Sequence, residues 1–183
     1  MRILFLNGNT DAANAAFDGT LRELGQRWTG AGHAVKQLDL RDMNVKSCTG
    51  CWSCWWKTPG LCATKDDTDT VRATYIHADL VVFAAPLVHG FPAAVMKDVL
   101  DKLIPLGHPY IAYEGGESIH VGRYSRYPAV ACLLAKGAGD DEKDLKVVGD
   151  YLKRVAAHFR ARFLFSRQAG EPVAEVAREL GRL

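Results

Sequence analysis

Short apolar runs alternate with helix-periodic segments along the whole chain, and this alternation narrows the fold more than any single motif does. Residues 3–6 (ILFL), 80–85 (LVVFAA) and 129–135 (AVACLLA) are near-continuously apolar and only four to seven residues long, as expected of strands buried on both faces. Residues 35–40 read as a further strand and 162–165 as a short fifth one. Between them, Phe17, Leu21, Leu24 and Trp28 recur at helical spacing, and the glycines around residues 30–32 end that helix. Residues 70–78 read as a short helix. Residues 93–103 form a helix with Val95, Met96, Val99, Leu100 and Leu103 inward. Asp140, Asp141 and Glu142 place negative charge at the start of a helix that continues through Leu145, Val148, Leu152, Val155 and Phe159. Residues 171–183 form a closing helix with Pro172 in its first turn, and Pro86 is expected to stop the third strand.

Strand–helix alternation predicts a parallel sheet covered on both faces. Right-handed crossovers make a five-stranded doubly wound sheet the natural closure. The 183 residues suit one domain over 1–183, with a cysteine-rich insert at 41–69 and a loop or hairpin excursion at 108–128. A net charge of +2 with scattered basic residues argues against a nucleic-acid partner. No apolar run reaches the roughly 20 residues needed to span a bilayer, and the N-terminus lacks a signal-peptide pattern, so the expected location is the cytoplasm. There, clustered cysteines read as metal ligands or redox thiols rather than disulfides.

Ligands of doubly wound sheets sit outside the carboxyl ends of the strands, which points to three loops. The first, NGNTDAAN, precedes a helix N-terminus, where backbone amides and the neutral donors Asn7, Asn9, Thr10 and Asn14 suit a phosphate. Neither GxxxxGK[ST] nor GxGxxG is present, and no Lys or Arg occurs from Ile3 to Leu21, which speaks against a nucleoside triphosphate with magnesium. An Asn/Gly turn with a helix cap is the other reading of this loop. In the second loop, the amides of Leu87, Val88, His89 and Gly90 can meet the edge of a ring system, and Gly90 permits close approach. In the third, Lys136, Gly137 and Gly139 can form a ligand rim or an ordinary connection.

These segments together resemble the NADPH-dependent FMN reductase and iron–sulfur flavoprotein branch of the flavodoxin-like superfamily. The resemblance lies in the opening strand with NGNT, in CTGCWSCWWKTPGLC followed by Asp66 and Asp67, and in ADLVVFAAPLVHGFPAAVMKDVLDK. It implies a flavodoxin-like three-layer sandwich with strand order 2-1-3-4-5, bound FMN, NAD(P)H as co-substrate, and a homodimer or tetramer. It also implies that Asn7, Asn9, Thr10, Asn14 and Phe17 serve the phosphate and ribityl chain. Pro86, Leu87, Val88, His89, Gly90 and Phe91 would contact the isoalloxazine, with Lys136 and Gly137 on the far rim. The first loop is less serine-rich than usual, and Leu87, Val88 and His89 stand where an aromatic is often found. Phe91, Trp52 and Trp55 are then the candidates to stack on the ring.

The insert spaces Cys48, Cys51, Cys54 and Cys62 as C-x2-C-x2-C-x7-C. Its first three positions match the ferredoxin-type run for a [4Fe–4S] cluster, and four thiolates also suit zinc. Trp52, Trp55 and Trp56 crowd this loop, which favours free or redox-active thiols beside the flavin over a cluster. Three functions follow: an FMN-dependent NAD(P)H oxidoreductase acting on a quinone, flavin, metal ion or nitro compound; an iron–sulfur flavoprotein electron carrier; and a binding module without catalysis. In the first, the cofactor does the hydride and electron chemistry, and no side chain is expected to act as a catalytic nucleophile.

Overall fold

The computed structural model describes residues 1–182, and of Arg182 the backbone alone. The chain runs β1 (Arg2–Asn7), α1 (Ala15–Gly30), β2 (Ala34–Asp39), α2 (Ser53–Trp56), α3 (Thr68–His77), β3 (Leu80–Val88), β4 (Phe91–Pro92), α4 (Ala94–Asp101), β5 (Gly107–Glu114), β6 (Glu117–Gly122), β7 (Ala129–Ala135), α5 (Glu142–His158), β8 (Phe163–Gln168) and α6 (Val173–Arg178). The central sheet has the order β2-β1-β3-β7-β8 with every neighbouring pair parallel, which is 2-1-3-4-5 when the parallel strands alone are counted. The two-residue β4 is an addition, folding back antiparallel on the end of β3. The fold is flavodoxin-like.

The period of two along β3 explains the three layers. Val81, Phe83 and Ala85 face a core completed by Met96 and Val99 of α4 and Leu145, Val148 and Leu152 of α5. Leu80, Val82 and Ala84 face the opposite core, where Phe17, Leu21, Leu24 and Trp28 of α1 meet Val176 of α6. Trp28 stacks on Phe5 with ring centroids 5.4 Å apart. The α1 terminus closes as expected: Gly32 takes φ +85°, and the His33 amide donates to Trp28 O at 3.0 Å.

Three expectations need correction. Pro86 does not stop β3, which continues to Val88 with Pro86 paired to Ala135. The Gly8 amide already donates to Ala84 O at 2.7 Å, and β1 turns away after it. The N–H that proline lacks therefore faces no continuing strand, and no ladder bond is lost. The fifth strand runs Phe163–Gln168 rather than over 162–165. The closing helix is shorter than 171–183: α6 covers Val173–Arg178 and tightens to a 3₁₀ turn at Glu179–Arg182, while Leu183 lies outside the described residues. Pro172 stands at the N-cap, one residue before the position expected. The excursion at 108–128 is the β5–β6 hairpin, turned by Gly115 and Gly116 at positive φ.

Candidate functional site

The loops after β1, β3 and β7 gather at the carboxyl edge of the sheet. In the first, Asn7 and Asn9 are fully buried and their side chains point into the protein. Asn7 Nδ2 donates to Asp18 at 3.0 Å and Asp39 at 2.7 Å, and its Oδ1 accepts the Asn9 amide. Asn9 Nδ2 donates to Asp18 and to Asn14 O, while Oδ1 accepts the Asp11 amide. Asn14 caps α1 by accepting the Phe17 amide, and the Phe17 ring lies in the core. These residues shape the loop. What faces outward is Thr10 and the amides of Thr10 and Ala12, which find no acceptor among the described residues. These two amides lie in the loop just before the N-cap of the 16-residue α1, where donors suit an anion.

Arg41 completes this loop, donating to Asp18 Oδ2 at 2.8 Å and to Asn9 O at 3.4 Å. Burial pushes the Asp18 carboxyl up, but hydrogen bonds from Asn9, Asn7 and Arg41 outweigh it and hold the group below the usual carboxylate range. Sequence reasoning missed both residues. Arg41 stands 23 positions from Asp18, at the start of the cysteine segment, and no local pattern ties them.

In the second loop, His89 and Gly90 both adopt positive φ (+53° and +79°), forming a two-residue turn between β3 and β4. Leu87 is buried, Val88 and His89 are exposed, and Phe91 packs on Tyr151. In the third, Gly137 lies so close to β3 that a Cβ there would stand 2.1 Å from Leu87 O. One carboxylate joins the two loops: Asp140 accepts the Gly90 amide at 2.8 Å and the Gly137 amide at 2.9 Å. The amides of His89, Ala138 and Gly139 find no acceptor among the described residues. Lys136 is exposed and donates to Glu142 at 2.8 Å, a bond that raises its pKa. Gly8 packs against the end of β3 and α4: a Cβ there would lie 3.3 Å from both Ala85 Cβ and Met96 Cβ.

The cysteine segment starts at the first loop with Arg41, but its cysteines lie at the end of α4 away from the second loop. Cys48, Cys51, Cys54 and Cys62 line one cavity of about 60 Å³ together with Lys102, Ile104 and Pro105, which follow α4. Eight helical residues, roughly 12 Å, separate that end of α4 from the end entered by the second loop. The segment is held there at its root. Asn44 and Lys46 donate their amides to Asp67 and Asp66, and the enclosed Asp66 carboxylate pairs with Lys102. Trp55 donates Nε1–H to Ile104 O at 3.3 Å and stacks on Trp52. Cys54 is buried and its thiol is pushed up, first by burial and then by Cys62; Cys51 is exposed and lowered by hydrogen bonding to Ser53 and Thr49. The fit to a metal group is incomplete, because among the described residues no three His, Cys, Asp or Glu side chains converge to hold an ion.

A doubly wound sheet with amide-lined loops at its carboxyl edge defines a flavodoxin-like protein built to hold a ligand there. The chain belongs to the NADPH-dependent FMN reductase family, whose model matches residues 1–157. It is similar to an iron–sulfur flavoprotein of Archaeoglobus fulgidus, with 31% identity over 110 residues, covering 60% of this chain and 47% of that protein. A second iron–sulfur flavoprotein of that organism is 28% identical over 102 residues, covering 56% and 48%. The chain thus spans about half the length of the curated relatives it matches. An FMN-dependent NADH-azoreductase from Bacillus anthracis, solved in complex with FMN, aligns over 100% of this chain and 95% of its own with TM-score 0.63 and 17% identity. The NAD(P)H:quinone oxidoreductase of Methanothermobacter marburgensis aligns over 98% and 92% with TM-score 0.64 and 16% identity. At such identities the likeness is one of fold. No helix among the described residues is long and apolar enough to cross a membrane.

Proposed function

We propose that the chain is a single FMN-binding domain acting as an NAD(P)H-dependent oxidoreductase that passes electrons through the flavin to a small acceptor. The carrying observation is the set of unpartnered amides on the three loops: Thr10 and Ala12 at one end, His89, Ala138 and Gly139 at the other. Thr10 and the α1 N-terminus would hold the phosphate, with Asn7, Asn9, Asn14 and Phe17 fixing the loop behind it. Pro86, Leu87, Val88, His89, Gly90 and Phe91 would border the isoalloxazine, with Lys136 and Gly137 on the far rim. Bound FMN supplies the hydride and electron transfer. The chain's part is to orient the ring and to place amide donors where charge collects on reduction. No protein nucleophile is required. A quinone, free flavin, metal ion or nitro compound is the acceptor class, and the working form is a cytoplasmic homodimer or tetramer. Exposed Trp52, Trp56, Tyr110 and Tyr113 supply apolar surface for such an assembly.

The test is anaerobic titration with FMN followed by NADH or NADPH. The expected result is one FMN per chain, bleached by at least one nicotinamide. A chain that takes up no FMN overturns the flavin reading, and bound FMN that neither nicotinamide reduces overturns the oxidoreductase. The four cysteines on one cavity motivate a second reading, an iron–sulfur electron carrier, which the incomplete metal fit disfavours. Iron and acid-labile sulfide near four per chain would establish it.

A further inference from the structure

Two histidines meet where the β5–β6 hairpin touches α5. His120 lies on β6 and His158 is the last residue of α5, and their ring centroids are 6.0 Å apart. Each buries its Nδ1 with no hydrogen-bond partner among the described residues. Both line a cavity of about 240 Å³ with Leu100, Asp101, Ile104 and Phe159. His120 also meets Trp55, at 5.1 Å between centroids with the rings tilted by 55°, and Trp55 in turn stacks on Trp52 at 4.8 Å. Trp52 is a wall of the cysteine cavity.

We propose that His120 and His158 form an acid-released latch that holds the β5–β6 hairpin on α5 and, through Trp55 and Trp52, keeps the wall of the cysteine cavity in place. The physical reason is asymmetric. A neutral imidazole tolerates this half-buried site, which is lined mainly by apolar side chains and the partner ring. A proton added to His158 makes its buried Nδ1 a charged donor with no acceptor among the described residues.

The surrounding charges do not cancel this cost. Arg154 on α5 repels a protonated His158, and Glu117 on β6, which attracts it, is already paired to Arg154. Asp101 of α4 lines the cavity but is paired to Lys97. Arg160 and Glu114 pair with each other and tie the hairpin to the end of α5 independently of the rings. The C-terminal end of α5 favours a cation, which opposes the effect. Burial, His120 and Arg154 together outweigh it, and the His158 pKa lies below the ordinary imidazole value. The docked hairpin therefore binds fewer protons than the released one. Docking is complete above the ordinary imidazole pKa and is lost as the pH falls below it.

Hydrogen exchange of the whole chain, read by mass spectrometry at about pH 7.5 and about pH 5.5 and corrected for intrinsic rates, tests the latch. Protection across Gly107–Glu114 and Glu117–Gly122 is expected to fall by about tenfold or more at the lower pH, while β3 keeps its protection. His120→Gln and His158→Gln should each flatten that dependence, and each removes the pair on its own should the other fail to fold. Equal hairpin protection at both values overturns the latch. So does a loss that spreads to β3, or a full pH response in either folded variant.

Discussion

The Asp140 carboxylate accepts the Gly90 amide at 2.8 Å and so fastens the turn after β3 to the loop after β7. Its other oxygen takes the Gly137 amide, on the side where β3 and the third loop are in contact. Hydrogen bonds to a charged acceptor contribute about 1.5–3 kcal/mol each when sheltered, and less at a half-exposed site such as this. Asp140→Ala is expected to raise the FMN dissociation constant about tenfold, equivalent to ~1.4 kcal/mol, with a small fall in melting temperature. Asp140→Asn keeps one acceptor and should fall between the two. Flavin fluorescence quenching measures this, and unchanged affinity in Asp140→Ala would remove the clamp from the site.

Glycine at 137 and 90 is required for different reasons. Gly137→Ala sets a Cβ against the Leu87 carbonyl, a backbone atom that cannot rotate away. The strain is expected to be about 1–3 kcal/mol and to lower the melting temperature by several degrees. At Gly90 the backbone sits at φ +79°, and a Cβ would face Asp144 Oδ1 at 3.1 Å. Gly90→Val should therefore weaken FMN binding by deforming the His89–Gly90 turn and pulling its amide from Asp140. Thermal melts and flavin titration of both variants separate the two: Gly137→Ala should lose more stability.

The parts of this fold that could be read in advance were those fixed by local pattern. Phe17, Leu21, Leu24 and Trp28 bury one face of α1 because helical spacing alone puts them there. What escaped was set by partners remote in sequence. Pro86 looks like a strand breaker until β1 is seen to leave before it. Asp140 looks like a charge placed for a helix dipole, whereas it bonds two loops. Asn7 and Asn9 have the right chemistry for a ligand but spend it on Asp18, which Arg41 reaches from another segment. Lys102 ends an ordinary amphipathic stretch, and nothing local pairs it with Asp66 at 36 residues' distance.

That pair makes a strong claim on stability. The Lys102 and Asp66 side chains are almost wholly enclosed. Burial alone would push the Asp66 carboxyl up, but Lys102, Thr68 and the Lys46 amide outweigh it and hold it far below the usual range. A depressed carboxylate pKa contributes stability above the unfolded value of about 3.9, and that contribution is lost as the pH falls below it. Lys102→Met leaves the carboxylate without its cation and is expected to cost about 3–5 kcal/mol, or roughly 10 °C. Adding Asp66→Asn should recover part of the loss. In Lys102→Met, the acid limb of a circular-dichroism stability curve should be flatter between about pH 5 and 3 than in the wild type. An unchanged limb would show that Asp66 owes its shift to Thr68 and Lys46 alone.

The fifth cysteine lies outside the insert. Cys132 lies in the middle of β7, fully buried, and burial pushes its thiol up to about 11 in spite of a hydrogen bond with Ser166. Since the thiolate is the reactive species, a chromogenic disulfide reagent at neutral pH should leave Cys132 untouched in the native protein. It should react there with Cys51 ahead of Cys54, and with Cys132 only on unfolding. Peptide mapping after a timed reaction checks the order, and early labelling of Cys132 would mean that the β3–β7–β8 core opens on that timescale.

A last prediction reverses the usual sign of a core substitution. Tyr75 on α3 is fully buried against Phe83 and Phe159, and its hydroxyl has no hydrogen-bond partner among the described residues. A buried hydroxyl without a partner costs about 1–3 kcal/mol, whereas removal of the oxygen leaves the ring contacts intact. Tyr75→Phe is therefore expected to stabilise the protein by about 1 kcal/mol and to raise the melting temperature by roughly 2–4 °C. Tyr75→Leu discards the ring contacts as well and should destabilise. Should Tyr75→Phe melt lower than the wild type, the hydroxyl has a partner in solution, and the packing of α3 against β3 is wetter than its side chains imply.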